Sequence, residues 1–455
     1  MQFSAVLLTL ALQATNVVSH SPNSYSFDPL EHLAGTAPPF DPQNPPTDPA
    51  PPQGCNVTRA AYLVRHAAIY ANDFDYEEYI EPFVQKLANT SVNWASIPSL
   101  SFLSTWQAPI TDAEIEMLTR SGKLEATNFG VDTAQRYQSL RTPKKIWTST
   151  AERTVKTAQS FSNGIANDAS DIEIVQIYEG KNDSANSLTP YKGCPAYSSS
   201  RGSDQSGEFQ EIYTKPIAAR FNSLAPAFNF TADDVYAMSL LCGYETVIRG
   251  SSPFCDLSVL SPTDWLGFEY TNDIQSFYNT GYGHEASGAI GFPWVNATFN
   301  ILMTTQNPAS NTTQDQDQDL YISFTHRELP PTVITALGLF NNSAYTGANN
   351  INGTMPLHQI NHQRAWKSSA FLPFLTSIAI EKLECESFGY DAGTYYRVLV
   401  NNSPQDLVDC TSGPGTSCKE DEVRDWLGER AEVVGSFVHV CGVDYENGTD
   451  ILGIY

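Results

Sequence analysis

The sequence predicts an α/β fold, with a three-layer α/β domain on a mostly parallel sheet and an inserted, mainly helical lobe. Residues 60–64 form an apolar run that is too short for a helix and ends abruptly at Arg65 and His66, which is typical of a buried parallel strand. Residues 321–325 repeat the pattern and end at His326. Open α/β sheets bind ligands outside the carboxyl ends of their strands. The two strand ends therefore predict one site that contains both histidines.

Residues 1–19 have the pattern of a secretory signal peptide, because an apolar stretch at positions 3–12 precedes small residues that end at Ser19. A membrane anchor is the alternative, but the stretch is shorter than the roughly 20 residues that a membrane span requires. Residues 20–54 follow and are crowded with proline between positions 38 and 52, which predicts an extended arm or linker. We expect a secreted, extracellular protein without a membrane span.

Two further features of the sequence support secretion. The eight cysteines form an even set without a Cys-x-x-Cys pair, as expected of disulfides made in an oxidising compartment, with zinc binding as the alternative. Asn-x-Ser/Thr sequons are frequent, which predicts N-linked glycans on the surface. The sequons begin at Asn56, Asn89, Asn182, Asn229, Asn296, Asn311, Asn341, Asn352, Asn401 and Asn447.

The formal net charge of −25 argues against a nucleic-acid partner, since nucleic acids are bound by basic surfaces. The same charge repels an anionic substrate from a distance, so a phosphate ester would have to be attracted by a local cationic pocket. Solubility of a secreted protein explains the acidity equally well.

Between residues 55 and 165 the predicted strands and helices alternate. A helical pattern covers residues 74–87, and a capping-box pattern at 111–114 predicts the start of a longer helix that continues to residue 137. A strand at 145–148 leads into a helix that Thr150 would cap, so that Arg153 lies in its first turn. The helix dipole disfavours a cation there unless an anion binds. Arg153 is therefore either an anion ligand or a surface arginine.

Residues 166–314 contain more loops, glycine and aromatic residues, and we interpret them as an inserted, mainly α-helical cap lobe over the site. The α/β domain then consists of residues 55–165 and 315–455. In its last part the sequence predicts a helix near residues 370–383 and a strand at 433–443. His358 and His362 have the spacing of two metal ligands on a helix but no partner carboxylate pattern, so we predict no metal site.

These blocks together resemble the histidine acid phosphatase family of the phosphoglycerate mutase-like superfamily, and within it the secreted phytases and the multiple inositol polyphosphate phosphatases. The order and spacing of the blocks are more specific than any single block. The resemblance is carried by Arg65-His66, by residues 149–153, by His326-x-Glu328 with residues 335–339, and by residues 241–246 and 252–257 in the inserted lobe.

The resemblance implies the histidine phosphatase fold and the hydrolysis of a small-molecule phosphate ester through a phosphohistidine, without a cofactor or metal. It implies that His66 is the nucleophile and that Glu328 protonates the leaving alcohol. The phosphoryl oxygens would be held by Arg65, Arg153 and His326. The implied disulfide pairs are Cys55 with Cys385, Cys194 with Cys441, Cys242 with Cys255, and Cys410 with Cys418. The sequence does not fix the oligomeric state.

The first motif departs from the family pattern Arg-His-Gly-x-Arg-x-Pro, because Ala67, Ile69 and Ala71 stand at its glycine, second arginine and proline. One lost charge-assisted hydrogen bond costs roughly 1.5–3 kcal/mol. The alternative function is therefore a catalytically impaired or non-hydrolytic descendant of the fold, which binds or transforms a less charged ligand because Ile69 replaces the arginine. Arg327 is a candidate to compensate for the missing arginine, although on a regular strand it points away from His326 and Glu328.

Overall fold

The structure is a computed structural model and describes residues 27–42, 45, 47–179, 185–304, 318–342, 354–443 and 448–455. The predicted signal peptide at residues 1–19 lies outside these ranges. Among the helices in these ranges, none is long and apolar enough to cross a bilayer.

An eight-stranded sheet forms the centre of the molecule. Its strands are β1 (Cys55–Arg65), β2 (Lys145–Ser149), β3 (Glu173–Ile177), β4 (Leu320–Thr325), β5 (Ser377–Cys385), β6 (Gly393–Val400), β7 (Ser403–Gln405) and β8 (Cys418–Lys419). The order is β3-β2-β4-β1-β5-β6-β7, and β8 pairs with β6. The first four strands in this order are parallel, and β5 to β8 add an antiparallel half. The carboxyl ends of β1, β2 and β4 therefore meet at one edge.

Helices cover both faces of this sheet. They are α1 (Asp73–Asp75), α2 (Glu81–Ala88), α3 (Arg120–Arg136), α4 (Glu152–Ile165), α5 (Ser203–Leu224), α6 (Ala232–Arg249), α7 (Pro262–Thr280), α8 (Ser287–Met303), α9 (Leu329–Leu337), α10 (Glu420–Val434) and α11 (Phe437–Val440). Side chains of β1 alternate between the two faces. Tyr62 and Val64 join a core with α3 and α4, whereas Ala61 and Leu63 join a second core with α8 and α9. The three-layer α/β prediction is confirmed.

Backbone pairing with the loop after His66 determines where α3 begins. Tyr70 N–H donates to Met117 O at 3.0 Å, and Thr119 N–H donates to Ala68 O at 2.9 Å. The Thr119 side chain then accepts from Gly122 N–H and caps α3. The predicted helix start at residues 111–114 is wrong, because a single 3-10 turn, Asp112–Glu114, forms there. The tertiary pairing of residues 116–119 outweighs the local capping pattern.

Two predictions for the C-terminal part are also wrong. The second half of the predicted helix near residues 370–383 is β5, which lies between β1 and β6 and begins with the buried run Ser377–Ile380. The predicted strand at 433–443 contains instead the end of α10 and all of α11, separated by Gly435 at φ 75°. Both errors have one cause, since a short apolar run does not distinguish a buried strand from a helix.

The segment at residues 166–314, predicted as the cap lobe, contributes to more than one part of the fold. β3 lies within it and pairs with β2, so the sheet continues past residue 165. α8 packs against α9 and β1, whereas α5, α6 and α7 pack on one another. The division into an α/β domain and a cap lobe stays a prediction, with α5 to α7 as the helices that fit the lobe.

The described part of the predicted arm lies along the body of the protein. Arg397 donates from Nη1 to Ala50 O and from Nη2 to Pro49 O, each at 3.0 Å. Gly35 O accepts from Arg65 Nη1 at 2.7 Å. The arm therefore contacts both the antiparallel half of the sheet and the strand end that carries His66.

Four disulfide bonds use all eight cysteines; two connect distant parts of the chain and two close short loops. Cys55 with Cys385 links β1 to β5, where the two residues are register partners. The other pairs are Cys194 with Cys441, Cys242 with Cys255, and Cys410 with Cys418. These are the pairs expected from the family resemblance, and such a framework fits an oxidising compartment.

Candidate active site

The ends of β1 and β4 bring His66 and His326 together. The last register pair of these parallel strands is Arg65 with Thr325, and His66 N–H donates to Thr325 O at 2.9 Å. The two imidazole ring centroids lie 5.9 Å apart, and both residues are buried. The structure thus places side by side the two histidines that the strand pattern assigned to one site.

The hydrogen bond made by the ring of His66 selects its tautomer. Nδ1 lies 2.9 Å from the carbonyl oxygen of Ala67, and a carbonyl oxygen only accepts, so Nδ1 carries the proton and Nε2 keeps the lone pair. Burial, followed by the charges of Arg65 and Arg153, lowers the pKa of His66 well below its ordinary value. The ring therefore stays neutral in acidic solution, which a nucleophilic imidazole requires.

His326 contacts two groups through Nε2. Glu179 Oε1 lies 3.0 Å away and Ser149 Oγ lies 3.3 Å away. The same Glu179 oxygen accepts from Ala151 N–H at 3.0 Å, at the N-cap of α4. Burial would raise the pKa of Glu179, but the hydrogen bonds and charges of His326 and Lys192 outweigh it and lower the pKa. The amino end of α4 and His326 therefore already bind a carboxylate, as expected of an anion site.

Arg65 is 3% exposed, and its guanidinium is partly held by the backbone. Nη1 donates to Gly35 O at 2.7 Å and to Leu372 O, and the guanidinium carbon lies 4.4 Å from the ring centroid of Phe374. Burial, and then the nearby charge of Arg327, lower the pKa of Arg65 to about 9. The residue remains charged under acidic conditions.

Arg153 lies in the first turn of α4, where the sequence analysis placed it. The helix begins at Glu152 with Ala151 as N-cap, so the predicted cap at Thr150 is wrong by one position. Arg153 Nη1 makes an ion pair with Glu116, a non-glycine residue at φ 63°. A carboxylate from the loop thus compensates the arginine at the positive end of the helix dipole.

Glu328 precedes α9, two residues beyond His326. It accepts from Arg327 Nε at 3.3 Å and from the Tyr191 hydroxyl. Burial would raise the pKa of Glu328, but the charge of Arg327, with those of His326 and Arg153, outweighs it and lowers the pKa. A proton donor at this position therefore needs an acidic medium or an anionic ligand that offsets the cations.

Three buried nitrogens around these residues have no hydrogen-bond partner within the described part of the chain. They are the guanidinium donors Arg65 Nε and Arg153 Nε, and the ring nitrogen His326 Nδ1. Buried polar groups are normally paired, so two unpaired guanidinium donors beside this imidazole indicate a site that is completed by an anion.

The residues that replace the family's glycine, arginine and proline lie in the protein interior. Ala67 and Ala71 are fully buried and Ile69 is 2% exposed. Ile69 forms a β-bridge with Leu118, and both belong to the core on the α3 side of the sheet. The idea that Ile69 shapes a pocket for a less charged ligand is therefore not favoured, because the Ile69 side chain packs in the core.

Sequence reasoning missed Glu179 and Arg327. Glu179 follows the end of β3 by two residues, so the rule that found His66 and His326 would have found it if β3 had been recognised. Arg327 was considered but not assigned a role, because a regular strand was assumed, whereas β4 ends at Thr325. Among the described residues, the group spaced for a metal ion is Cys410, Cys418 and Glu422, and its two cysteines form a disulfide.

Three comparisons agree with this geometry. Residues 56–401 match the histidine phosphatase superfamily (branch 2). The chain is 32% identical over 404 residues to the acid phosphatase PHO1 of Komagataella pastoris, covering 86% of this chain and 81% of that protein. It is 27% identical over 409 residues to the phytase PHO112 of Candida albicans, covering 86% and 82% of the two chains. The crystal structure of the phytase from D. castellii superposes with a TM-score of 0.82 at 23% identity, covering 97% of this chain and 94% of that one.

The fold is an α/β fold, and its site brings two histidines and several arginines together at the carboxyl ends of the parallel strands. The match over residues 56–401 and the 32% identity to an acid phosphatase assign the family. The chain belongs to the histidine phosphatase superfamily, branch 2.

Proposed function

We propose that the protein is an acid phosphatase that hydrolyses phosphomonoesters through a phosphohistidine on His66. The observation that carries the proposal is a neutral imidazole, with its lone pair on Nε2, beside unpaired cationic donors. Membership of the family supports the same reaction, since relatives of this chain are acid phosphatases and phytases.

In the first step, the lone pair of His66 Nε2 forms a bond to phosphorus while the bond between phosphorus and the ester oxygen breaks. Glu328 gives its proton to the departing oxygen, so that the alcohol leaves neutral. The positive charge that develops on the imidazole is shared with the phosphoryl group in the phosphohistidine. One difficult hydrolysis is thereby divided into two displacements.

In the second step, water attacks phosphorus and the bond to Nε2 breaks. The Glu328 carboxylate accepts the proton of the water and regains its acid form, and His66 returns to the neutral state. Inorganic phosphate leaves. The Nδ1 hydrogen bond to Ala67 O keeps the same nitrogen directed to phosphorus in both steps.

The phosphoryl oxygens are held by Arg65, Arg153 and His326, whose unpaired nitrogens are suited to the charge that spreads over these oxygens in the transition state. In the ligand-free protein, Glu179 contacts His326 and Glu116 pairs with Arg153. Phosphate has to compete with both carboxylates.

The alternative, a non-hydrolytic descendant that binds a less charged ligand, has no observation in its favour. It depended on Ile69 in the pocket, and Ile69 lies in the core. We propose further that the protein is secreted and carries N-linked glycans, as the four disulfides and the sequons support. The carboxylates Glu116 and Glu179 beside the cations favour esters with one phosphate over inositol hexakisphosphate.

The test is the release of inorganic phosphate from p-nitrophenyl phosphate and from inositol hexakisphosphate, measured from about pH 3 to about pH 7. A His66→Ala variant, purified in parallel and checked for its melting temperature, is the control. We expect hydrolysis that disappears in the variant, with a higher kcat/KM for the simple ester. Folded protein whose activity does not exceed that of the control contradicts the proposed reaction.

A further inference from the structure

The cations of the site are only partly available to a phosphoryl group. Arg65 uses Nη1 to bind Gly35 O and Leu372 O, and Arg153 shares its Nη1 with Glu116. Position 69 provides an isoleucine in the core instead of a cation. A phosphoryl group in its transition state carries charge on three oxygens, so a site of this kind gains from one more guanidinium.

We propose that Arg327 binds the phosphoryl group of the substrate and provides the cation that position 69 lacks. The inference rests on the proposed phosphatase function and adds to it a residue that neither the motif pattern nor the family match assigns.

The backbone places Arg327 in the turn that carries the site. β4 ends at Thr325 and α9 begins at Leu329, so Arg327 lies in the turn between them and the alternation of a strand no longer applies. The residue occupies the same turn as His326 and Glu328. All three side chains leave the carboxyl edge of the sheet within one short segment.

The guanidinium is fixed at one end and open at the other. Nε donates to Glu328 Oε1 at 3.3 Å, and the Arg327 side chain is 43% exposed. Within the part of the chain that the structure describes, no hydrogen bond engages its Nη groups. Such a group can donate two parallel hydrogen bonds to a phosphoryl oxygen pair, which is the geometry that arginine forms with phosphate.

The charges around Arg327 also indicate an anion position. Of the charged groups around Arg65 and around Glu328, Arg327 has the largest effect on the pKa of each. The guanidinium groups of Arg65 and Arg327 therefore repel each other across the site. The buried Asp75, which accepts from the Tyr244 hydroxyl at 2.6 Å, also feels the charge of Arg327, which acts to lower the pKa of that carboxyl. Glu328 holds the Nε end of Arg327, and a bound phosphoryl anion relieves the repulsion between the arginines.

A simpler role for Arg327 is an ion pair with its neighbour Glu328. A partly exposed pair of this kind contributes little to stability. It would still lower the pKa of Glu328 and so influence the rate indirectly. The two roles differ in what happens to anion affinity, because only direct contact makes phosphate binding depend on Arg327 at every pH.

The experiment measures kcat/KM for p-nitrophenyl phosphate and the inhibition constants of inorganic phosphate and orthovanadate for the wild type, Arg327→Gln and Arg327→Lys. Arg424→Gln is the matched control, since Arg424 is 53% exposed and pairs with a single carboxylate, Glu420, on α10. Each protein is measured over the acidic range and checked for its melting temperature.

We expect Arg327→Gln to lose about 10- to 100-fold in kcat/KM and to bind orthovanadate at least about tenfold more weakly at every pH. Arg327→Lys should recover part of the kcat/KM and part of the orthovanadate affinity, because lysine keeps the positive charge but lacks the two parallel donors of arginine. Arg424→Gln should match the wild type. Unchanged inhibition constants in Arg327→Gln, with only a shifted pH profile, overturn the inference. Inactivity of the wild type would instead refute the proposed phosphatase function, so the two failures are distinguishable.

Discussion

Two clusters of buried charge in this protein differ in how far their hydrogen bonds are satisfied. Glu381 on β5 is fully buried, and its two oxygens accept from Arg136, Tyr137 and Arg397 at distances of 2.6–3.0 Å. At the ends of β1 and β4, by contrast, Arg65, Arg153 and His326 each keep a buried nitrogen without a partner. The first cluster is complete within the protein, and the second is completed only by a ligand.

This difference separates a structural role from a functional one without reference to any relative. A buried ion pair with all its donors satisfied holds elements together, and losing one member leaves an uncompensated charge. Unpaired donors cost free energy in the empty protein, and that free energy is recovered when an anion binds. Variants of the Glu381 cluster should therefore change stability, whereas variants of the site should change rate.

The largest expected effect belongs to the proposed proton donor. Glu328→Gln keeps the shape of the side chain but has no proton to give, so we expect kcat to fall by about 10²- to 10⁴-fold for an alkyl phosphate. The loss should be smaller for p-nitrophenyl phosphate, whose phenolate leaves without protonation. Comparing the two substrates in steady-state kinetics checks this, and equal losses for both would exclude Glu328 as the donor.

The next largest effect concerns the satisfied cluster. Glu381→Gln leaves Arg136 and Arg397 without a buried counter-charge, so we expect the free energy of unfolding to fall by about 3–5 kcal/mol. Denaturant titration measures it, with Glu384→Gln on the same strand as the control, because Glu384 is exposed. A fall in kcat/KM in folded Glu381→Gln, with unchanged stability, would contradict the division between the two clusters.

A smaller effect is expected for Arg153. Arg153→Gln removes one phosphate ligand, and kcat/KM should drop by about 10- to 100-fold, while the melting temperature stays within a few degrees of the wild type. Arg141→Gln is the control, since Arg141 pairs with Asp319 at 2.8 Å and is 52% exposed. An Arg153→Gln protein that unfolds readily but keeps its activity would show a structural role instead.

The smallest effect is the dependence of kcat/KM on pH. The cations around Glu328 lower its pKa, so its acid form is lost as the pH rises, and kcat/KM for an alkyl phosphate should fall by up to about tenfold per pH unit above that pKa. Burial and the charges of Arg65 and Arg153 also lower the pKa of His66, so its neutral form persists to a lower pH than that of an exposed histidine. Initial rates at a series of pH values should show this fall of kcat/KM with rising pH in the wild type and not in Glu328→Gln.

The sequence predicted three of the four parallel strands, because β1, β2 and β4 each give a local signal, whereas β3 was missed. A short apolar run followed by Arg65-His66 or by His326 is a pattern within a few residues, and the position of Arg153 in a first helical turn is equally local. The antiparallel half was not predicted. β5 is buried on both faces and carries the same apolar run as a core helix, and only its pairing with β1 resolves the ambiguity.

The features of the site that were missed depend on contacts between distant residues. The assessment of Ile69 depended on the direction of its side chain, which is set by the bridge to Leu118. The assessment of Arg327 depended on the residue at which β4 ends. Gly35 O reaches Arg65 across 30 positions of the sequence, and no periodicity in the arm signals that contact.

The central claim, that His66 carries the phosphoryl group, is tested most directly by isolating the intermediate. Protein mixed with a phosphate ester, quenched in base to preserve phosphohistidine and digested, should give a peptide phosphorylated at His66 when analysed by mass spectrometry. The adduct should be absent from His66→Ala and should accumulate when alcohol release is faster than hydrolysis of the intermediate. An active wild-type enzyme that carries phosphate on another residue would contradict the assignment.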